Sequence, residues 1–171
     1  EKKITSQKDW VEKRRPEIVA DFENEIYGKI PDKIPSVTWQ IVSVKDTMIG
    51  NLSIKEKKLK GIVDNAAYPS IKVEINLVVV TPANAINTVP VVLEFGYIKN
   101  FFAPGPIKAI GLGSSGEPTW QEQLISRGWG YAIIEPNSIQ ADNGAGLTSG
   151  IIGLVNKGEY RKPGQWGALR A

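Results

Sequence analysis

The stretches VPVVLEF (residues 89–95) and TWQEQLISRGWGYAIIEP (residues 119–136) determine the fold. The first stretch and the end of the second, GYAIIE, are apolar, and a helix-like segment lies between them. Each apolar segment is short enough for a single buried strand, and a glycine or a proline follows it. Between them, Thr119 is a typical N-cap, and Gly128 stands just beyond the helix that we expect over residues 120–126. This order of strand, loop, helix and strand predicts a right-handed βαβ unit, so the fold class is α/β with a parallel sheet.

Three alternating segments precede this unit. Apolar and polar residues alternate over residues 37–44, 52–63 and 71–81, and the third segment becomes fully apolar from Leu77 to Val80. Alternation that gives way to an apolar run is typical of a strand that passes from an exposed edge into a buried sheet. We therefore expect antiparallel strands to lead into the βαβ unit.

Helical spacing marks both ends of the chain. Residues 7–28 predict an opening helix that is interrupted before Pro16 and ends at Gly28. A helical turn is expected within residues 151–155, and residues 165–171 resemble the start of another helix.

Composition excludes several classes of site. The net charge is only +3, and the one basic run, lysines 55, 57, 58 and 60, is expected on a solvated strand face rather than in a nucleic-acid site. The chain contains neither cysteine nor histidine, so a Ser-His-acid triad cannot be completed within it. We expect no cofactor and no metal site. No apolar run approaches the roughly 20 residues of a membrane span.

Three motif-like stretches lack the context that their chemistry needs. Gly146–Gly150 resembles a nucleophile elbow, but it has threonine where serine belongs and no clear strand before it. Gly111–Gly116 has the spacing of a dinucleotide fingerprint, but it lies in a long loop after a later strand. Asp142 and Asn143, with Glu135 nearby, are more typical of a turn than of a metal loop.

The end of the segment 89–95 holds the candidate site. Glu94 is a carboxylate within an apolar strand, where it either faces solvent or finds a basic partner. Gly96 and Tyr97 follow at the carboxyl end of the strand, where α/β folds gather their ligand sites. A glycine permits close approach of the backbone, so these two residues are expected on the oxyanion side of a substrate site. The alternative is a tight turn that needs glycine.

Several motifs together resemble the glucuronoyl esterase family of carbohydrate esterases, whose relatives include proteins labelled acetyl xylan esterases. The resemblance begins at Trp10 and is carried by the segments WVEKRRPEI, FENEIYGKIP, GWGYA, ADNG, GIIGL and QWGALRA, which lie between residues 10 and 171. The segment Phe95-Gly96-Tyr97 resembles the family's Phe-Gly-Gly loop, with Tyr97 in place of a glycine.

The resemblance implies the N-terminal half of an α/β-hydrolase three-layer sandwich, with a mainly parallel sheet and antiparallel leading strands. Residues 1–171 would then be the N-terminal part of one domain, ending before the nucleophile elbow. The implied activity of the parent protein is serine carboxylic-ester hydrolysis on plant cell-wall polysaccharide, at 4-O-methyl-glucuronoyl or acetyl esters of xylan. The family's serine, acid and histidine lie beyond residue 171, so no catalytic residue is expected here, and this chain alone would be inactive.

A different class of function is also open. The five tryptophans and the absence of histidine suit a non-catalytic carbohydrate-binding or assembly module, although Trp120 and Trp166 are more typical of core anchors. Such a module would be a closed domain that binds oligosaccharide by itself. A half-domain would instead leave an open sheet edge and pair with the rest of its own domain. We expect a secreted or periplasmic protein that binds no nucleic acid.

Overall fold

The computed structural model describes residues 3–98, 117–141, 143 and 147–171. The chain divides into two compact units. The helical unit comprises Glu1–Ser36, Asn65–Lys72 and Gln140–Ala171, and the sheet unit comprises Val37–Asp64 and Val73–Ile139. That residues 1–171 form part of one larger domain stays a prediction.

Strands and helices cover much of the described chain. The strands are β1 (Val37–Ile49), β2 (Leu52–Val63), β3 (Glu74–Pro82), β4 (Val91–Phe95) and β5 (Gly130–Ile134). The α-helices are α1 (Gln7–Asp9), α2 (Arg15–Phe22), α3 (Trp120–Ser126), α4 (Pro136–Ile139) and α5 (Gly150–Val155). Two π-helical segments, Trp10–Arg14 and Glu23–Tyr27, flank α2, and a 3₁₀ turn spans Ala168–Arg170.

The five strands form one mixed sheet in the order β1-β2-β3-β5-β4. β1, β2, β3 and β5 pair antiparallel in succession, whereas β4 pairs parallel with β5 through α3. The predicted α/β class, with antiparallel strands leading into a βαβ unit, is therefore confirmed. The right-handed crossover stays a prediction, since most of the connecting loop lies outside the described residues.

The core lies on the face of the sheet that α3 covers. Its buried members come from β2, β3, β5, α3 and the residues after β4, and they are Ile54, Val78, Val80, Ile98, Ile125, Tyr131 and Ile133. Trp120 and Leu124 of α3 pack against this cluster. Cross-strand partners share a face, so the register aligns Val78 with Ile133 and Val80 with Tyr131 beneath the helix.

The sequence suggested that the basic run in β2 lies on a solvated face, but part of this run is buried. Lys58 is only 6% exposed and Glu56 only 4%, because both lie on the same face of β2 as Ile54, which is the face that α3 covers. Lys55 remains on the opposite face, where its Nζ lies 2.6 Å from a carboxylate oxygen of Asp46. The prediction treated the four lysines as one group. Successive side chains of a strand point to opposite faces, and this alternation assigns Lys58 to the covered face.

The predicted break before Pro16 is also wrong, because helix continues from Gln7 to Tyr27 without interruption. The segment before Pro16 is π-helical, and the N–H of Arg15 donates to the carbonyl oxygen of Trp10, five residues back. The wider π-helical turn accommodates the ring of Pro16, which in an α-helix would clash with the preceding turn. Gly28 ends the helix as predicted, with φ of +73°.

The segment 165–171 contains only the 3₁₀ turn where a helix was expected. The N–H of Gly167 donates to the carbonyl oxygen of Tyr27 at 2.8 Å, which holds the backbone beside the helix end. Trp166 is buried, and its Nε1 donates to the carbonyl oxygen of Arg170 at 2.7 Å. Arg170 in turn donates to Glu23 at 3.0 Å. The expected core role of Trp166 is confirmed.

Candidate functional site

A cavity of about 400 Å³ opens at the carboxyl ends of β4 and β5. It lies wholly within the sheet unit. Its lining residues are Glu94, Phe95, Gly96, Tyr97, Trp120, Gln121, Ile133 and Pro136. The volume falls in the range of about 300–1,000 Å³ that is typical of small-molecule sites. Both residues of the predicted oxyanion-side loop, Gly96 and Tyr97, therefore line a cavity of suitable size.

The backbone N–H of Gly96 is already used by the sheet. It donates to the carbonyl oxygen of Ile134 at 3.0 Å, which extends the ladder between β4 and β5 by one residue. The N–H of Tyr97 makes no hydrogen bond to another described residue, and its side chain is 68% exposed. An oxyanion role for this loop stays a prediction, and Tyr97 is the better placed of the two as an N–H donor.

Glu94 is one of the residues that line the cavity. Its strand position pairs with Ile133, and every residue of β4 is exposed. The carboxylate thus faces solvent, which is one of the two arrangements that the sequence allowed. Its desolvation cost is small in this position, and it gives the cavity a negative charge.

Gln121 is the lining residue that sequence reasoning missed. Its side chain is on the buried face of α3 and is only 2% exposed. The Oε1 atom is fully buried, and no described residue donates a hydrogen bond to it. A buried acceptor without a donor costs about 1–3 kcal/mol. The signal that could have found it is its spacing of four from Ile125, which places both residues on one side of the helix.

A capping box fixes α3 and therefore the position of Gln121. Thr119 Oγ1 accepts from the N–H of Glu122 at 3.2 Å, and Glu122 Oε2 accepts from the N–H of Thr119 at 2.8 Å. These hydrogen bonds from the backbone and hydroxyl of Thr119 lower the pKa of Glu122. The predicted cap at Thr119 and the end near Gly128, with φ of +76°, are both confirmed.

Trp120, which lines the cavity, packs against a buried tyrosine of β5. Trp120 meets Tyr131 edge-to-face, with ring centroids 5.5 Å apart. Burial, together with the negative charge of Glu56, raises the pKa of Tyr131 to about 12. Tyr131 is therefore a neutral core residue rather than a catalytic acid or base near neutral pH.

The remaining motif-like stretches give no competing site in the described residues. Glu135 accepts a hydrogen bond from Asn76 Nδ2 at 2.8 Å, so it supports the end of β5. Gly111–Gly116, Asp142 and Gly146 lie outside the described residues. Ser149 is the N-cap of α5. Across the described ranges, no group of three Asp or Glu side chains could hold a metal ion.

The helices of the described chain do not include one of the length and apolar character needed to cross a bilayer. No family model matches the sequence. No curated protein matches it either.

Solved structures do match the chain. A CE15 glucuronoyl esterase from Teredinibacter turnerae T7901 is 32% identical in sequence to this chain, with a TM-score of 0.71. The match covers 99% of this chain and 41% of the esterase chain. The resemblance to the glucuronoyl esterases is confirmed. A glucuronoyl esterase from Solibacter usitatus is 26% identical, with a TM-score of 0.63 over 97% of this chain and 46% of its own.

A promiscuous CE15 esterase from a marine bacterial metagenome shares the fold, at 23% identity and a TM-score of 0.56, over 98% of this chain and 46% of its own. This chain thus spans less than half the length of the glucuronoyl esterases that it matches, a share consistent with an N-terminal portion. The predicted fold class, part of an α/β hydrolase, agrees with these structures.

Proposed function

We propose that this chain is the N-terminal part of a serine carboxylic-ester hydrolase that acts on plant cell-wall polysaccharide. The observation that carries the proposal is the match of 99% of the chain to a CE15 glucuronoyl esterase at 32% identity and a TM-score of 0.71. The bonds cleaved would be 4-O-methyl-glucuronoyl or acetyl esters of xylan. Since such a polymer lies outside the cell that degrades it, we propose a secreted or periplasmic location.

The proposed reaction is acyl transfer through serine. A serine hydroxyl attacks the ester carbonyl carbon while histidine takes its proton, and the alkoxide leaving group then departs with that proton. Water releases the acid from the acyl-enzyme by the reverse use of the same base. Residues 1–171 contain no histidine, so the base would come from a part of the protein beyond them, and this chain alone would be inactive. Its contribution would be a wall of the pocket, with the N–H of Tyr97 directed at the developing oxyanion.

The exposed side of the sheet supports pairing with the rest of the same domain. The register aligns a row of apolar residues across all five strands on the face opposite α3, consisting of Ile41, Leu59, Leu77, Ile134 and Phe95. At the two ends of this row, Ile41 is 62% exposed and Phe95 is 67% exposed. An apolar sheet face of this extent is ordinarily covered by helices in α/β proteins.

A non-catalytic carbohydrate-binding or assembly module remains the second candidate. The observation that favours it is the exposure of three tryptophans, Trp10 at 46%, Trp39 at 42% and Trp129 at 44%. Exposed indole rings are common platforms for ligands with an apolar face. A module of this kind would be a stable monomer as residues 1–171 and would bind oligosaccharide without further chain.

Hydrolysis by the natural full-length protein tests the proposal. We expect release of glucuronic acid from its benzyl ester, a faster reaction than release of acetate from acetylated xylan, and no reaction with residues 1–171 alone. If the full-length protein hydrolyses neither ester, while residues 1–171 are monomeric and bind xylo-oligosaccharide, the binding module is the correct function.

A further inference from the structure

We propose that a groove at the amino end of β5 is a second binding site, which holds a neutral oligosaccharide away from the predicted reacting centre. The groove has a volume of about 620 Å³ and lies within the sheet unit. Its walls are residues 51–53, residues 82–84 and the carboxyl end of α3. That the oligosaccharide belongs to xylan rests on the proposed function, whereas the site itself rests on the side chains that line the groove.

The groove and the cavity beside Gly96 are separate places in the fold. Trp120 and Gln121, at the start of α3, line the cavity, whereas Ile125 and Ser126, at its end, line the groove. The two sites share no lining residue. Since each helical residue adds 1.5 Å, a helix of seven residues is about 10 Å long. A ligand in the groove therefore leaves the cavity free for the ester.

Backbone contacts hold the walls of the groove in place. Gly50 precedes the first wall, and a Cβ on this glycine would collide with Glu122 Oε1, so the turn between β1 and β2 lies directly against α3. The N–H of Ala83 donates to the carbonyl oxygen of Ser53 at 3.0 Å, which joins the second wall to the first. At the third wall, the N–H of Gly128 donates to a carbonyl oxygen of α3 at 2.9 Å. The groove is thus formed before a ligand binds.

Two free amides are the main polar groups of the groove. The side chains of Asn51 and Asn84 are exposed and form no hydrogen bond with another described residue. Each amide can donate from its nitrogen and accept at its oxygen, as the hydroxyls of a sugar require. None of the described lining residues carries a charge. A charged ligand would therefore lose hydration without gaining an opposite charge, so the lining favours a neutral ligand.

The deeper part of the lining is apolar. Ile125 is only 5% exposed, Pro82 is buried, and Leu52 packs against the core cluster. Apolar surface with a few polar groups is the usual composition of a small-molecule site. A sugar ring presents C–H groups to such a surface and hydroxyls to the amides beside it. A neutral oligosaccharide therefore matches both parts of the lining.

Isothermal titration of the natural full-length protein with xylohexaose tests the second site. The variant is the double substitution Asn51→Ala with Asn84→Ala, which removes both amides. We expect xylohexaose to bind about tenfold more weakly to it, which corresponds to the loss of one or two hydrogen bonds. The matched control is Asn24→Ala with Asn87→Ala, at two exposed asparagines that line neither the groove nor the cavity. We expect the control to bind as the parent protein does.

The melting temperature separates a ligand role from a structural one. Both double variants are expected to melt as the parent protein does, because the amides of Asn51 and Asn84 are exposed and bond to no described residue. If the groove variant melts lower, Asn84→Ala alone is titrated instead, and about threefold weaker binding is expected. Equal affinity in the variant and the parent protein, or no binding of xylohexaose by the parent protein, would overturn the proposal.

Hydrolysis of the benzyl ester of glucuronic acid distinguishes the two proposals. We expect the groove variant to hydrolyse this small ester at the parent rate, since the ester does not reach the groove. A lower rate would contradict a second site separate from the reacting centre. Xylohexaose binding that depends on Asn51 and Asn84 in a protein without esterase activity would retain the groove and reject the proposed function. Ester hydrolysis with binding that does not depend on them would do the reverse.

Discussion

The N–H of Gly96 donates to the carbonyl oxygen of Ile134 at 3.0 Å, so the sheet continues to the edge of the cavity. A Cβ at position 96 would lie 3.2 Å from Ile133 Cγ2, which is closer than most real contacts. We expect Gly96→Ala to lower the free energy of unfolding by about 1 kcal/mol, as a mild case of overpacking. Urea denaturation measures this effect. Tyr97→Phe, which changes only an exposed side chain, is the control and is expected to unfold as the parent protein does.

The capping box at the start of α3 makes stability depend on pH. The hydrogen bonds from Thr119 hold the pKa of Glu122 below its ordinary value of 4.5. A lowered pKa in the folded state adds stability above pH 4.5, and this stability is lost as the pH falls through the folded pKa. We expect Glu122→Gln to be less stable than the parent protein at pH 7, with a smaller difference at pH 3. A difference that stays constant between these pH values would contradict the account.

Loss of the cap itself has an expected size. Thr119→Ala removes the acceptor for the N–H of Glu122, and such substitutions cost about 1 kcal/mol. Thr119→Ser keeps the hydroxyl oxygen and is expected to retain most of the stability. Thermal unfolding of the two variants side by side measures the contribution. Equal melting temperatures for Thr119→Ala and Thr119→Ser would show that the cap contributes nothing.

Tyr131 is expected to titrate well above the ordinary range of a tyrosine. Burial and the charge of Glu56 raise its pKa to about 12, from an ordinary value of 10.0. The stability linked to this raised pKa is complete below pH 10 and is lost as the pH rises towards 12. Absorbance of tyrosinate during a pH titration measures the step, which should disappear in Tyr131→Phe and move to lower pH in Glu56→Gln. A late step that survives in Tyr131→Phe would contradict the assignment.

The exposed side of β4 is expected to drive self-association of residues 1–171. Leu93 and Phe95 lie on the same face of this edge strand and are 53% and 67% exposed. We expect the double substitution Leu93→Lys and Phe95→Lys to shift the chain towards monomer in analytical ultracentrifugation, because charge on an edge strand opposes pairing. Ile86→Lys, at a position that is 93% exposed and outside the strands, is the control. If the parent chain is a monomer, this side of β4 does not drive self-association, and the prediction is wrong.

The sequence predicted the elements of the βαβ unit closely. Thr119 and Gly128 define the ends of α3 by local chemistry, and Pro136 stands two residues after the last residue of β5. Such signals depend on neighbours in the sequence and need no tertiary information. The π-helical segment before Pro16 could not be predicted, since proline ordinarily ends the pattern of an α-helix.

Burial within the sheet was harder to predict than the strands themselves. VVLEF has the composition of a core strand, yet every residue of β4 is exposed because the strand lies at the edge of the described sheet. Lys58 and Gln121 are polar, yet both are buried because α3 packs across β2 and β5. Position in the sheet, and not residue type, determined these three outcomes. The Gly96–Tyr97 loop followed from topology, whereas the one sequence signal for Gln121 was its helical spacing of four from Ile125.

The central claim is that residues 1–171 form a non-catalytic part of a serine esterase. Treatment of the natural full-length protein with a fluorophosphonate, followed by mass spectrometry of its tryptic peptides, locates the reactive serine. We expect a single labelled serine outside residues 1–171, with loss of hydrolysis of the benzyl ester of glucuronic acid. A label on a serine within residues 1–171, or full hydrolysis without any labelled serine, would contradict the account.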